Sequence, residues 1–231
     1  MTSNKTIARI AGLLYLIVVL MGIFHLMYVP SKLIVWNNAA ITYNNISASE
    51  SLFRLGILGG FVCYLAFLLL PFVLYKLLKN VNKNWSVLMV VFGVMSAPLA
   101  FINFSNEFSV LTLISKAGSL NTFGITQLQD QVLLYLGFYN NGLQIISIFS
   151  GLWLFPFGLL VYKSGFLPKI LGILLMMGCF GYLVDFTAGF LSPEYNKMAI
   201  SKYMILPASI GEIGICLWML FIGVREKKNM L

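Results

Sequence analysis

Residues 53–75 read FRLGILGGFVCYLAFLLLPFVLY, and Arg54 is the one charge in the run. As an α-helix this run spans roughly 34 Å at about 1.5 Å per residue, against a lipid hydrocarbon core about 30 Å thick. It does not alternate apolar with polar residues, as a barrel strand would. Five similar runs lie at 8–29, 85–108, 137–162, 170–191 and 204–224. In hydrocarbon a backbone must satisfy its own N–H and C=O groups, and a helix does so within one segment. The expected architecture is all-α: one polytopic transmembrane bundle of six helices occupying residues 1–231.

Composition agrees. Hydrophobic residues make up 60% of the 231 and charged residues only 10%, where soluble domains carry about 25% charged. In a soluble protein the net charge of +8 would raise nucleic acid as a partner. Here the cations sit in short loops between apolar runs, so the expected partner is the lipid bilayer and not nucleic acid. Lys5 and Arg9 precede the first run as in a secretory signal. The run is long for one and no small-residue cleavage pattern closes it, so it reads as an uncleaved span.

Lys and Arg counts orient the chain. One side holds Lys5, Arg9, Lys76, Lys79, Lys83, Lys163, Lys169, Arg225, Lys227 and Lys228; the other holds Lys32, Arg54, Lys116, Lys197 and Lys202. The positive-inside rule puts both termini in the cytoplasm, in a multi-pass protein of a cell membrane. The inner loops 76–84 and 163–169 are tight, which makes the helices they join antiparallel neighbours. The outer segments 30–52, 113–136 and 192–203 are longer. The first two carry apolar residues such as Trp36 and Leu128, consistent with short interfacial helices. Arg9-Ile10-Ala11-Gly12 resembles Lys169-Ile170-Leu171-Gly172, as a duplicated hairpin would; packing through glycine explains the match equally well.

Small and polar residues recur at helical spacing in every run and mark the bundle interior. Measured from the inner ends at about 1.5 Å per residue, Glu212 lies roughly 18 Å deep and Asp185 roughly 22 Å. His25, Gln144 and Asn103 lie roughly 25–27 Å deep, with Asn140 and Glu107 slightly further out. The polar groups therefore gather in the outer half. A carboxylate near the bilayer centre costs about 2.5–3.5 kcal/mol on the insertion scale, so these acids must be protonated, paired or wetted. Arg54 is the counter-charge at similar depth, although it faces away from the Gly56 stripe. Snorkelling to headgroups is its alternative.

Enzyme chemistry is not evident. His25 is the one histidine. No nucleophile elbow, phosphate-binding glycine loop or metal-ligand spacing occurs, so neither a metal nor another cofactor is expected. Cys63, Cys179 and Cys216 sit inside apolar runs and read as small packing residues.

The block from Phe149 to Gly158, continued by Tyr162-Lys163-Ser164-Gly165-Phe166-Leu167-Pro168-Lys169-Ile170-Leu171-Gly172, resembles a known membrane family. So do Gly181-Tyr182-Leu183-Val184-Asp185, Gly211-Glu212, Leu217-Trp218 and the opening Ala8–Tyr15. The family is the bacterial domain of unknown function 4386, and the resemblance covers nearly the whole chain. It implies a several-helix protein of the bacterial cytoplasmic membrane and carries no activity, substrate or site residue. Within this block Gly165 supplies turn freedom and Pro168 suits the next helix's first turn. Pro156, Pro71 and Pro207 are expected to kink their helices.

Three function classes stay open. The reading carried forward is a structural, sensory or partner-binding membrane subunit, with a homo-oligomer or a membrane partner. A small transporter using an outward-facing polar cavity is the alternative, and an intramembrane enzyme the third. Asp185 and Glu212 are expected to share a cavity between the fifth and sixth helices. Glu212, the deepest acid, is expected either to act in the mechanism or to bond Asn140 or Gln144.

Overall fold

The computed structural model describes residues 3–115, 124–192, 194–195 and 198–224, and among these every regular element is helical. α1 runs Asn4–Leu33, α2 Ala39–Ala48, α3 Glu50–Leu78, α4 Lys83–Ser115, α5 Ile125–Ser164, α6 Lys169–Leu191, α7 Ala199–Met204 and α8 Leu206–Ile222. α1, α3, α4, α5 and α6 are long and apolar enough to cross a membrane, while α8 is a shorter apolar helix. α1 packs on α3, α3 on α4, α4 on α5, α5 on α6, α6 on α8 and α8 on α1, closing a ring of neighbours. One end of the ring carries the tight connections near Lys79 and Gly165 (the hairpin end); the other carries α2.

Local chemistry sets the ends. The Ser3 hydroxyl accepts the Thr6 N–H at 3.2 Å and starts α1. Asn38 accepts the Ile41 N–H at 2.9 Å and starts α2, and Asn82 accepts the Trp85 N–H at 3.1 Å at the start of α4. Such caps satisfy donors that have no partner within the helix. Gly165 ends α5 with φ +73°, a left-handed conformation that glycine adopts without a Cβ penalty. Pro168 caps α6, one residue before the position expected for it.

The elements outrun the apolar runs. α4 begins two residues before the run 85–108 and ends seven after it, and α5 starts at Ile125 rather than near 137. The stretch before 137 carries Gln127, Gln129, Asp130 and Gln131. It is too polar to register as a span, but Leu128, Val132 and Leu136 form a buried stripe facing α2 and α4. The chain interrupts α5 at Trp153, three residues before Pro156, whose ring displaces the preceding turn. Pro71 sits inside an unbroken α3. Pro207 does not kink the sixth apolar run's helix; it lies in the first turn of α8, after a break at Ile205. That is where a missing N–H costs nothing.

Two apolar cores fill the ring. Trp153, Phe157, Leu70, Leu74 and Met89 anchor the one toward the hairpin end. Phe104, Ile46, Phe53, Val132 and Leu136 anchor the one beneath α2. Glycines set the closest helix approaches. A Cβ on Gly12 would lie 2.5 Å from the Leu220 nitrogen of α8, and one on Gly158 would lie 2.5 Å from the Gly172 carbonyl of α6. The glycines of the stripes therefore lie at helix contacts, as their spacing indicated, whereas Asn140 and Gln144 on the fourth run's stripe are exposed.

Candidate functional site

His25 lies in a stretch of α1, Phe24–Tyr28, wound as a π-helix. The wider winding inserts a residue and re-aims side chains, and such segments recur at functional sites. It turns His25 into the bundle, where the residue is 4% exposed. His25 Nε2 and the Tyr139 hydroxyl of α5 are hydrogen-bonded. The ring meets Phe104 edge-on at 5.5 Å between centroids. A Cβ on Gly60 would lie 2.9 Å from the ring's Cδ2, so that glycine makes room for the imidazole.

Asn103 of α4 donates to the Tyr139 carbonyl at 2.8 Å, and its own side-chain oxygen accepts from Asn106 at 3.0 Å. It lies against Gly142, where a Cβ would overlap it. Asn103 thus pins α4 to α5 one turn from Glu107.

Above this layer is a cavity of about 170 Å³. His25, Glu107, Tyr139 and Asn140 supply its polar wall, and Leu26, Val29, Phe53, Leu136 and Leu143 much of its apolar wall. Trp36, Pro30, Leu33 and Ile34 border it on the α2 side. Glu107 is 6% exposed, and its Oε2 is buried without a hydrogen-bond partner. Its carboxyl is close enough to Tyr64 and Tyr139 to act on both electrostatically.

The remaining sequence candidates fall elsewhere. Gln144 is exposed on α5, so its side chain belongs to the outer surface of the bundle. Arg54 is exposed and binds Glu50, with Nε at 2.7 Å and a terminal nitrogen at 2.6 Å from the same oxygen. It is therefore not the counter-charge of the interior acids. Glu212 accepts the Tyr15 hydroxyl of α1 at 2.7 Å, not Asn140 or Gln144. The ring order explains this: α8 lies against α1, and α4 and α5 hold Asn103 and Asn140 on the far side. Tyr182 of α6 is within electrostatic reach of both Glu212 and Asp185. Neither acid lines the cavity that Glu107 lines.

The site thus gathers His25, Asn103, Glu107 and Asn140 and leaves out Gln144, Arg54, Asp185 and Glu212. Tyr139 was not singled out from the sequence, because it reads as one more apolar residue in an apolar run; Trp36 was read only as part of an interfacial segment, and Tyr182 only as part of the family resemblance. Among the described residues no group of three or more His, Cys, Asp or Glu side chains is placed to hold a metal ion.

The profile of a family described as a domain of unknown function (DUF4386) matches residues 10–223. An uncharacterized protein of Archaeoglobus fulgidus is 33% identical over 129 residues, 56% of this chain. The match covers 64% of that relative's length. No solved structure matches the chain.

Proposed function

The chain belongs to the DUF4386 family, whose description names no activity, and we propose that it is a membrane-embedded binding subunit with a sensory or partner-regulating role. In this reading α1, α3, α4, α5, α6 and α8 all span the cytoplasmic membrane of a bacterium. Both termini are cytoplasmic, and the α2 end faces outward. The cations support this orientation: Lys5, Arg9, Lys76, Lys79, Lys83, Lys163 and Lys169 lie at or near the hairpin end, whereas Lys32 and Arg54 lie toward the α2 end.

The observation that carries the proposal is Glu107 in its cavity. A buried acceptor without a partner costs about 1–3 kcal/mol. Packing alone gives no reason to keep one beside a void, whereas binding a ligand does. The aromatic layer of Phe104, Phe61 and Tyr64 and the filled core around Trp153 lie between this cavity and the hairpin end. That packing favours a dead-ended binding site over a permeation path.

A transporter is the second reading. It is favoured by the Tyr15–Glu212 bond and the nearby Tyr182 and Asp185, which place further ionisable groups within the bundle.

Cysteine accessibility separates the two. After Cys63, Cys179 and Cys216 are replaced, Leu143→Cys in the cavity wall and Leu74→Cys in the hairpin-end core are probed with an impermeant thiol reagent. Binding from outside requires labelling of Leu143→Cys in whole cells and none of Leu74→Cys. A Leu143→Cys protein that folds but stays unlabelled from outside would refute the cavity reading. Labelling of Leu143→Cys from both sides would favour transport.

A further inference from the structure

We infer that the Glu107 cavity takes a small soluble ammonium compound with an apolar body about the size of a benzene ring, its cationic head on Glu107. This inference rests on the binding reading above and names the ligand class of that site.

The carboxyl lacks a counter-charge. Among the described residues no salt bridge reaches Glu107. Arg54 is held by Glu50, and Lys32 is exposed with its ammonium 5.9 Å from the Tyr28 ring centre. His25 is already hydrogen-bonded to Tyr139. In the tautomer with its proton on Nδ1, the ring accepts the Tyr139 hydroxyl at Nε2 and the imidazole is neutral. Glu107 therefore lines the cavity with a carboxyl that has no counter-charge, and its buried Oε2 is an acceptor without a donor.

The rest of the wall sets the body of the ligand. An inorganic cation would need several oxygen or nitrogen ligands. The described residues offer no cluster of three. The wall is mostly apolar, with the Trp36, Phe53 and Tyr139 rings among its residues. Aromatic rings suit an organic cation through their negative faces. An anion would meet Glu107. The volume of about 170 Å³ is close to that of an apolar cavity of about 150 Å³ known to hold benzene. Acyl chains do not fit, so the ammonium source is a soluble amine and not the headgroup of an ethanolamine lipid.

The probe pair is benzylamine, cationic at neutral pH, and benzyl alcohol, its near-isosteric neutral counterpart. The full chain in phosphatidylglycerol nanodiscs is titrated with each, and binding is read by calorimetry and by Trp36 fluorescence. The inference requires benzylamine to bind saturably and at least about tenfold tighter than benzyl alcohol, the factor given by one charge-assisted bond. Glu107→Gln must remove that preference while leaving benzyl alcohol binding and thermal unfolding near the parent values. Leu143→Trp, which keeps Glu107 and fills the space, must abolish both.

Equal affinity for the two probes, or a preference that survives in Glu107→Gln, overturns the ammonium assignment and leaves the cavity reading standing. Failure of both probes to bind the parent protein overturns both. Loss of benzylamine binding when phosphatidylethanolamine is added would overturn the soluble source.

Discussion

Tyr15 of α1 and Glu212 of α8 are joined by a hydrogen bond of 2.7 Å across 197 positions of sequence, with the tyrosine hydroxyl donating to Oε1. It ties the first helix to the last at the seam that closes the ring. Tyr15 is 1% exposed and its ring lies 6.0 Å from that of Trp153, so the hydroxyl has little freedom to find another acceptor.

The first prediction follows from this seam. Hydrogen bonds between membrane helices average about 0.6 kcal/mol and reach about 1.7. Bonds to a charged group in proteins run to about 3 kcal/mol. Tyr15→Phe is expected to lower the unfolding free energy by about 0.5–2 kcal/mol. Glu212→Gln keeps an acceptor for Tyr15 and is expected to cost less than Glu212→Ala, which strands the hydroxyl. A double-mutant cycle of Tyr15→Phe with Glu212→Ala, read by reversible unfolding in detergent, should show coupling. Additive effects would mean the bond contributes nothing. If well-folded Glu212→Gln fails to rescue a deletion phenotype, the carboxyl acts beyond packing.

A second prediction contrasts two glycines. A Cβ at Gly12 would lie 2.5 Å from the Leu220 backbone nitrogen, which cannot move without shifting α8. Gly12→Ala should therefore destabilise by about 1–3 kcal/mol, the usual cost of overpacking. Gly137 has nothing within 4 Å of its would-be Cβ. There alanine should be neutral or stabilising by up to about 1 kcal/mol through helix propensity. Thermal unfolding of the two variants checks the pair. Equal effects would sink the claim that close backbone approach explains Gly12.

These residues also mark how far the sequence could be read. Each of the six apolar runs falls on a helix of the ring, five of them long enough to cross a membrane, because such helices are apolar throughout. The segment before residue 137 reads from the sequence as a short interfacial helix; the structure makes it continuous with α5, because Leu128, Val132 and Leu136 form a one-sided stripe that a run-length reading does not join to the run. Depth along the helix axis put His25, Gln144 and Asn103 at about one level with Asn140 and Glu107 slightly further out, and the structure gathers these around Tyr139 except Gln144, which is exposed. Depth carries no information about the order of helices around the ring. Glu212 was therefore matched with Asn140 or Gln144 when its neighbour across the seam is Tyr15. Arg54 was weighed against distant acids although Glu50, one turn away, already held it.

A third prediction concerns topology. Reporter domains fused after Leu231 should be active only as cytoplasmic reporters. A reporter inserted between Asn37 and Asn38, in the connection before α2, should be active only outside. The charge bias that supports this is local to the loop ends. Adding three lysines after Asn38 should therefore impair insertion or mix the orientations. External activity from the C-terminal fusion would invert the reading and place the Glu107 cavity on the cytoplasmic side.

The last prediction sets Glu107 against Glu212. Glu212 has a protein partner, so its replacement removes a contact. Glu107 Oε2 has none and is buried, so replacing Glu107 with an apolar residue of similar length removes a desolvated polar group and loses no protein hydrogen bond to that oxygen. Leaving such a group unsatisfied costs about 1–3 kcal/mol. Glu107→Met should accordingly raise the unfolding free energy of the ligand-free protein by about 1–2 kcal/mol. Methionine adapts to the cavity wall without forcing new rotamers on Phe53 or Leu136. A gain in stability bought with a loss of rescue in the deletion strain is the pattern of a residue kept for binding at the expense of packing. Chemical denaturation of both ligand-free proteins in the same detergent measures the difference. If Glu107→Met is less stable than the parent, Glu107 is held by bonds to water or lipid that stabilise the fold. The carboxyl would then be a structural element, and its unpartnered oxygen would no longer point to a ligand.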